Sequence, residues 1–409
     1  MQKQKYLEKK EVHDHKREEI ATTMTSENII CSFTNCDQGH VIPPWSARVD
    51  VRGFHVPKSK RKGMVVDWTG DGSAFFHMTC WQRVCDLAQG TTPNIKLCKK
   101  EKDLIYEAEQ TAEFHDSEEC FQKEALRIAA LLRDSAYCIG FTGAGISTAA
   151  GIGDYRGIHG QWTNNDKTKE YGPASASFGL NLHSKRDHLL PTYTHEAIYK
   201  LMDMGLIKYL ISQNTDGLHK LSGIPSDKIS ELHGNGYEEK CDTCGSRRMR
   251  RKSTDQHLRV PPQECCRCGC DHRTGNTCEI PGCNGYMMNT IINFGDILEE
   301  FVYSSAKENG EKADVVLCLG TTLLVSPADE LVTLGKKPNR LVICNRQSTP
   351  YDDYCNQIDE HGAQIGSRVY GDCDRLMKLV MRFILGEDHI KEWEEGRDQR
   401  IALYDMTRT

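Results

Sequence analysis

The stretch Ala136–Trp162, AYCIGFTGAGISTAAGIGDYRGIHGQW, contains the pattern that decides the fold of this 409-residue chain. A short apolar run, Tyr137–Phe141, predicts a buried strand. The Gly143-Ala144-Gly145 turn behind it lets the backbone approach a phosphate where a helix begins. The third glycine of the usual dinucleotide fingerprint is missing, because Thr148 stands in its place. The turn alone is therefore only a weak indication of a nucleotide site.

Three later apolar runs also end in polar residues. They are Leu206–Ile211 before Ser212–His219, Ala313–Leu319 before Gly320-Thr321-Thr322, and Arg340–Cys344 before Asn345-Arg346-Gln347. In an open parallel sheet, ligands bind outside the carboxyl ends of the strands, so four such endings converge on one crevice. The sequence therefore predicts an α/β fold with a nucleotide-type ligand at one edge of a parallel sheet.

The composition sets broad limits on location and partners. The chain has 19 cysteines, a net charge of −6, and no apolar run near the roughly 18 residues that a membrane span needs. Its first residues lack the apolar core of a secretory signal, so we expect zinc ligands and buried thiols in a reducing compartment. The negative net charge disfavours a uniformly basic nucleic-acid binder but leaves local basic patches open.

The motifs follow one another in the order found in the sirtuins (Sir2 family), the NAD-dependent protein deacylases. They are GAGIS at 143–147, QNTDGLH at 213–219, ELHGN at 231–235, a CxxC pair, NFGD at 293–296 and GTTLLVSP at 320–327. The similarity covers roughly Cys120–Leu385. GDYRG, running into Gly160-Gln161-Trp162, most resembles the nuclear, chromatin-associated (class IV) branch. The resemblance implies a Rossmann-like parallel-sheet large domain with a small zinc-binding domain.

The resemblance also implies a reaction. Sirtuins transfer an acyl group from lysine to ADP-ribose and release nicotinamide, so we expect an acylated lysine peptide or histone as substrate. His233 matches the general base, and an imidazole titrates near neutral pH, as that role requires. Asn214 and Asp216 match residues that orient the ribose and, with Ile152 and Asp154, hold the nicotinamide amide. The alternatives are a mono-ADP-ribosyltransferase acting on protein or DNA, and a slow or non-enzymatic NAD-sensing chromatin-binding protein.

Positions that match NAD contacts of the family occur after all four of these apolar runs, and His233 and Cys373 add two more elsewhere in the chain. They are Gly143, Ala144, Gly145, Thr148, Asp154, Tyr155, Arg156, Trp162, Gln213, His233, Gly320, Thr321, Thr322, Asn345, Gln347 and Cys373. The chain departs from the family at Gly153 and Tyr155, where proline and phenylalanine are usual. Glycine loosens the backbone beside Asp154, and the tyrosine adds a hydroxyl near the nicotinamide pocket, so the departure bears on the catalytic rate and not on NAD binding.

One metal site is predicted within the region of resemblance. Cys241-x2-Cys244 and Cys278-x4-Cys283 supply four thiolates, enough for a closed tetrahedral structural zinc. The resemblance selects Cys278 and Cys283 as the second pair, whereas Cys265-x2-Cys268 competes with a more conventional spacing. The cysteines that this assignment leaves over bind a second metal or stay free; they are Cys265, Cys266, Cys268 and Cys270.

A second zinc site is predicted near the N-terminus. Cys31-x4-Cys36 and His77-x2-Cys80 supply a Cys3His set, with rival ligands at His40, His55 and Cys85. The HxxC flanked by aromatic residues resembles the end of the zinc fingers that open poly(ADP-ribose) polymerases and recognise DNA breaks. Those fingers begin with CxxC and have a shorter loop. The alternative is a small core with unliganded cysteines.

Two basic clusters predict contact with DNA or chromatin, or a nuclear import signal. One is Lys58–Lys62, and the other comprises Arg247, Arg248, Arg250, Arg251 and Lys252. Solvated loop charge is the plain alternative for each, but both lie beside predicted zinc ligands, which favours a nuclear protein. The expected organisation is a disordered tail at 1–28, a zinc-finger-like module at 29–98, a linker at 99–118, a catalytic domain at 119–386 with its zinc subdomain at about 238–290, and a tail at 387–409.

Overall fold

The computed structural model describes residues 29–52, 63–91, 97–154, 189–250, 263–338 and 340–408. The chain forms two compact units, Met1–Cys120 and Phe121–Thr409. Within the described ranges, no helix is both long and apolar enough to cross a membrane. The expected disordered tail at 1–28 lies outside the described residues.

The N-terminal unit combines a hairpin, a three-stranded sheet and two helices. Its elements are β1 (Ile29–Ile30), β2 (Val41–Ile42), β3 (Arg48–Arg52), β4 (Ser73–His77), α1 (Met78–Gln89), α2 (Lys99–Glu109) and β5 (Glu113–His115). β3 pairs antiparallel with both β4 and β5. Alternate residues of β3 and β4 are buried, as the two-residue period of a strand requires, and pack with Phe33 and Trp68 in one core.

The segment 99–118 differs from the expected linker. Leu104, Ile105 and Ala108 of α2 are buried in the same core, and β5 belongs to the sheet. The segment is highly charged because the other faces of α2 meet solvent, so its single apolar stripe is hard to see in the composition. The N-terminal unit therefore extends through β5.

The second unit is built mainly from alternating strands and helices. Its elements are α3 (Glu118–Asp134), β6 (Cys138–Thr142), α4 (Tyr193–Asp203), β7 (Ile207–Ser212), α5 (Leu218–Leu221), β8 (Ile229–Glu231), β9 (Glu238–Cys241), β10 (Arg247–Met249), β11 (Arg273–Thr277), β12 (Tyr286–Asn289), α6 (Glu300–Lys312), β13 (Val315–Leu319), β14 (Arg340–Cys344), α7 (Asp352–Cys355), β15 (Ser367–Val369), α8 (Cys373–Glu395) and α9 (Arg397–Arg408).

Six of these strands form one parallel sheet in the order β15-β14-β13-β6-β7-β8. Every residue of β6 and β13 is buried, as expected for a parallel sheet with helices on both faces. The order reverses between β6 and β13, and such a reversal opens a crevice at the carboxyl ends of the strands. The predicted α/β parallel-sheet fold is confirmed.

A small antiparallel sheet, β10-β9-β12-β11, is inserted between β8 and α6. The only apolar side chains of the described part of residues 236–292 that are well buried are Tyr237, Cys241 and Met287. Such a small core stabilises a fold weakly by itself, and small domains of this kind usually depend on metal ions or disulfides. None of the cysteines in the described ranges forms a disulfide.

Candidate functional site

The turns that follow β6 and β13 pack backbone against backbone. The Gly143 amide donates to the Leu319 carbonyl at 3.0 Å, and the Gly145 amide donates to the Gly320 carbonyl at 2.8 Å. A Cβ on Gly320, whose φ is +65°, would lie 2.4 Å from the Ile146 nitrogen. Only glycine fits there, since the neighbouring atoms are main chain. The structure thus brings the predicted glycines of two strand endings together at the sheet reversal.

Polar residues after β7 form hydrogen bonds with these turns. The Gln213 amide nitrogen donates to Thr321 Oγ1 at 2.9 Å, and the Asn214 amide nitrogen donates to the Gly143 carbonyl at 3.1 Å. Asp216 accepts the Leu218 amide at 2.9 Å through Oδ1. The predicted residues of three strand endings therefore form one hydrogen-bonded group.

Two hydroxyl-bearing residues of this network, Ser147 and Thr142, were not among the predicted catalytic or NAD-binding residues. Ser147 donates to Asp216 Oδ2 at 2.7 Å and lies 3.4 Å from the Asn214 amide nitrogen, so it holds both side chains in place. Thr142 Oγ1 lies 2.9 Å from the buried His219 Nε2. Ser147 ends the GAGIS motif and Thr142 directly precedes it. Their positions in the sequence do not show which side chains they contact.

His233 follows β8 and points one ring nitrogen at the β7 ending. Its Nδ1 lies 3.1 Å from the Gln213 carbonyl oxygen, which can only accept, so Nδ1 carries the proton and Nε2 keeps its lone pair. Burial lowers the pKa of His233, although the bond to that carbonyl acts in the opposite direction. The imidazole is consequently neutral at physiological pH, as a general base must be.

The other predicted NAD positions that the structure describes also follow strands of this sheet or begin a neighbouring helix. The Asn345 amide nitrogen donates to the Gln347 carbonyl at 3.0 Å after β14, and Cys373 is buried at the start of α8. Ala144 and Thr148 lie in the 3₁₀ helix Ala144–Ala150, and Thr322 follows Thr321 after β13. Asp154 ends a described range. Three predicted contacts lie outside the described residues: Tyr155, Arg156 and Trp162.

Four thiols of the small subdomain converge. One ligand atom from each of Cys241, Cys244, Cys278 and Cys283 lies within 4.8 Å of the others. Hydrogen bonding with Ser246 lowers the pKa of Cys244 to about 6 and also lowers that of Cys278. Four converging sulfur donors suit a closed tetrahedral zinc site. The competing pair, Cys265 and Cys268, does not join this group and approaches His272 and Asp296 instead.

The N-terminal unit contains a second convergent set. Cys31, Cys36, His77 and Cys80 have ligand atoms within 4.8 Å of one another, and His77 Nδ1 faces the Cys36 sulfur at 3.6 Å. The β4–α1 junction supplies His77 and Cys80, because the helix begins between them. Of the rival ligands, His40 and Cys85 stand outside this set within the described residues, and His55 lies in an undescribed range.

Two arginines of the second basic cluster form ion pairs within the subdomain. Arg247 contacts Glu238 and Glu299, and Arg248 contacts Glu279 and the fully buried Glu239. Burial alone would raise the pKa of Glu239, but hydrogen bonds from Thr274, Asn276 and Arg248 lower it overall. These two arginines therefore stabilise the small sheet, which was not predicted. Arg251, Lys252 and Lys58–Lys62 lie outside the described residues.

Known proteins resemble this chain in sequence. The Sir2 family model matches residues 143–327. A protein named NAD-dependent protein deacetylase from Sulfolobus acidocaldarius is 34% identical over 251 residues, which are 58% of this chain and 89% of that protein. The chain belongs to the Sir2 family.

Two relatives from other organisms match the Sir2 region at similar identity. NAD-dependent protein deacetylase SRT1 from Arabidopsis thaliana is 36% identical over 66% of this chain. NAD-dependent protein deacetylase sirtuin-7 from Bos taurus is 35% identical over 65% of this chain. The chain spans 51% and 61% of the lengths of these two proteins. The predicted likeness to the class IV branch of the family is confirmed by the relatives named sirtuin-7.

Proposed function

We propose that this Sir2-family chain is an NAD-dependent protein-lysine deacylase. The observation that carries the proposal is the crevice at the sheet reversal, where two glycine turns meet the Gln213–Asp216 segment and the neutral imidazole of His233. The relatives that share these motifs are named NAD-dependent protein deacetylases. An acylated lysine peptide, of histones or other chromatin proteins, is the proposed substrate.

The residues of the crevice have two proposed roles, which are binding of NAD and transfer of a proton. The glycine turns are the proposed phosphate cradle, because the absence of side chains lets the main chain approach an anion. Asn214 and Asp216, fixed by Ser147, are the proposed partners of the ribose and nicotinamide. Bound NAD would supply an electrophilic ribose carbon with nicotinamide as its leaving group. His233 Nε2 is the proposed acceptor of a ribose hydroxyl proton.

The four-cysteine group is the proposed structural zinc site of the small subdomain. All four donors are thiols, so a tetrahedral ion there has no position left for a reacting water. Its role is to hold β9 and β12 together where the apolar core is small. Catalysis is thus assigned to the crevice and folding of the subdomain to the metal.

Product analysis tests the enzymatic proposal. The full chain is incubated with NAD and acetylated histone peptides, and all products are identified by mass spectrometry. We expect equal amounts of nicotinamide, deacylated peptide and O-acyl-ADP-ribose. ADP-ribose attached to protein or DNA would instead identify a transferase. Unchanged NAD under conditions where it binds would identify an NAD-sensing binder, and either result contradicts the proposal.

We further infer that the N-terminal unit is a zinc-dependent targeting module for nuclear chromatin. The support is the Cys3His set, the basic cluster at 58–62, and the likeness to the chromatin-associated branch. The test compares Cys36→Ser with Cys98→Ser, an exposed thiol outside the set, for binding of the full chain to DNA duplexes at two salt concentrations. We expect salt-sensitive binding, since neutralised phosphates release counterions, and its loss only in Cys36→Ser.

A further inference from the structure

A third convergent set of metal-binding side chains lies in the small subdomain, apart from the four-cysteine group. The ligand atoms of Cys265, Cys268, His272 and Asp296 all lie within 4.8 Å of one another. The Cys268 sulfur is 3.2 Å from His272 Nε2, and the Cys265 sulfur is 3.4 Å from Asp296 Oδ1. His272 Nε2 is 3.4 Å from Asp296 Oδ2, which brings the donors around a common centre.

The loop that carries the two cysteines repeats the backbone of the first zinc knuckle. The Gly269 amide donates to the Cys265 carbonyl at 2.9 Å, and in the other knuckle the Gly245 amide donates to the Cys241 carbonyl at 3.1 Å. Gly245 and Gly269 share a φ of +72°. The first cysteine of each knuckle also donates its amide to the carbonyl of the fifth residue beyond it, at 2.9 Å in both.

The sulfur atoms of both knuckles accept main-chain amides in the same way. The Thr243 amide donates to the Cys241 sulfur at 3.4 Å, and the Arg267 amide donates to the Cys265 sulfur at 3.5 Å. The Cys270 amide donates to the Cys268 sulfur at 3.4 Å. Amide donors favour the thiolate form, which is the form that binds metal.

The histidine is oriented for ligation by its second ring nitrogen. His272 Nδ1 lies 3.1 Å from Asn289 Oδ1, and that amide oxygen also accepts the Ile291 amide at 3.1 Å. Since the oxygen can only accept, the proton resides on Nδ1, and the lone pair of Nε2 faces the sulfur atoms. An outer hydrogen bond of this kind fixes the tautomer of metal-binding histidines.

The carboxylate comes from a different part of the chain. Asp296 lies at the end of the Asn293–Asp296 turn, where its Oδ2 accepts the Asn293 amide at 2.9 Å and its own amide donates to the Asn293 carbonyl at 3.0 Å. Gly295 has a φ of +98°, and a Cβ there would meet the Arg267 carbonyl oxygen at 3.1 Å. The turn is thus seated directly on the cysteine loop.

We propose that Cys265, Cys268, His272 and Asp296 bind a second structural zinc ion in this subdomain, which fastens the Asn293–Asp296 turn to the cysteine loop. Two thiolates, one imidazole and one carboxylate fill a tetrahedral zinc site, whereas magnesium and calcium prefer oxygen donors alone. No ligand position remains for a reacting water, so the ion acts on folding and loop order.

The fastened turn borders both a cavity and the proposed base. Arg267, His272 and Asp296 line a cavity of about 360 Å³. One residue before the turn, the Ile292 amide donates to the His233 carbonyl at 3.0 Å. Loss of the ion is therefore expected to loosen the backbone from the cysteine loop towards His233. Metal content itself is independent of whether the chain is a deacylase.

Elemental analysis of the full chain tests the site. We expect three zinc ions per wild-type chain, one for each convergent set, and one fewer in Cys268→Ser. Cys266→Ser is the matched control, because Cys266 is exposed in the same loop and is not one of the donors. A zinc content in Cys268→Ser equal to the wild type, or an equal loss in Cys266→Ser, overturns the proposal.

A milder variant covers the case in which Cys268→Ser does not fold. Asp296→Asn keeps both thiols and the imidazole, and we expect one zinc ion to pass to a competing chelator faster than in the wild type. Asp227→Asn, an exposed carboxylate outside the set, is its control. Hydrogen exchange at the Asn293 and Asp296 amides is expected to accelerate in Asp296→Asn alone. Unchanged zinc release in Asp296→Asn contradicts the proposal whatever the exchange rates, because the Asn293 amide donates directly to Asp296 Oδ2.

Discussion

The crevice and the cysteine-rich subdomain of the second unit keep their shapes by different means. The crevice rests on a six-stranded sheet whose central strands are fully buried, and its turns fit through close main-chain packing of glycines. The described part of the subdomain has only a few buried apolar side chains, together with ionic contacts and two convergent sets of side chains of the kinds that bind metal. We infer that the proposed catalytic crevice takes its shape from the packed sheet, whereas the subdomain is proposed to need metal for its fold.

Removing a ligand of the proposed four-cysteine zinc site should cause the largest loss of folding stability. Structural zinc contributes roughly 10–16 kcal/mol of apparent binding free energy in zinc-finger peptides, and that energy is folding energy. We expect Cys241→Ser to lose one zinc ion and the cooperative unfolding of the subdomain, while the amides of β6 and β13 stay protected from hydrogen exchange. Cys98→Ser, an exposed thiol, is the control.

Two outcomes would contradict the difference proposed between the parallel sheet and the cysteine-rich subdomain. If Cys241→Ser keeps the wild-type zinc content, the metal is held elsewhere. If the amides of β6 and β13 lose protection together with those of β9 and β12, the parallel sheet is not independent of the subdomain.

A smaller effect is expected from a side chain added in the crevice. Gly320→Ala places a Cβ against main-chain atoms at 2.4 Å, so the turns must move apart. Gly362→Ala is a matched control, because Gly362 also has a positive φ, +78°, but nothing lies within 4 Å of its Cβ position. We expect Gly320→Ala to be destabilised by about 1–3 kcal/mol more than the control and to bind NAD more weakly. Denaturant unfolding and calorimetric titration measure both quantities.

The proposed role of glycine packing is contradicted if Gly320→Ala and Gly362→Ala are equally stable and bind NAD equally well. Close glycine packing would then not determine the shape of the crevice.

The smallest effect concerns the pH dependence of the reaction. Burial lowers the pKa of His233 below its ordinary value of 6.5. A general base acts in its deprotonated form, so activity should be constant above the pKa and fall only as the pH drops below it. We expect the acidic limb of kcat/KM to lie below pH 6.5. A limb above that value would mean that another group controls the proton transfer.

The sequence predicted the parallel sheet well, because continuous apolar runs such as Val315–Leu319 are long enough to show burial on both faces. The four-cysteine ligand set was predicted only with the help of the family resemblance, because spacing alone favoured Cys265 and Cys268. The structure places those two with His272 and Asp296. Asp296 lies 28 residues beyond Cys268, and no local spacing rule reaches that far.

Two other features were hidden for related reasons. The helix at 99–109 carries one narrow apolar stripe in a charged segment, so its composition resembled a linker. Arg248 belonged to a basic run, and its contact with the buried Glu239 becomes visible only when β9 and β10 are paired. Both cases depend on tertiary partners that a linear pattern does not identify.

The variant His233→Gln tests whether the crevice uses His233 as its general base. This variant removes the titrating imidazole, and His361→Gln removes an exposed histidine as the matched control. Deacylation is followed with acetylated peptide and NAD, and NAD binding is measured by calorimetry on the same samples. We expect His233→Gln to lose about 10²–10⁴-fold in kcat while NAD affinity and melting temperature stay close to wild type, as both do in His361→Gln. A His233→Gln protein that retains more than about a tenth of wild-type kcat would contradict this role of His233.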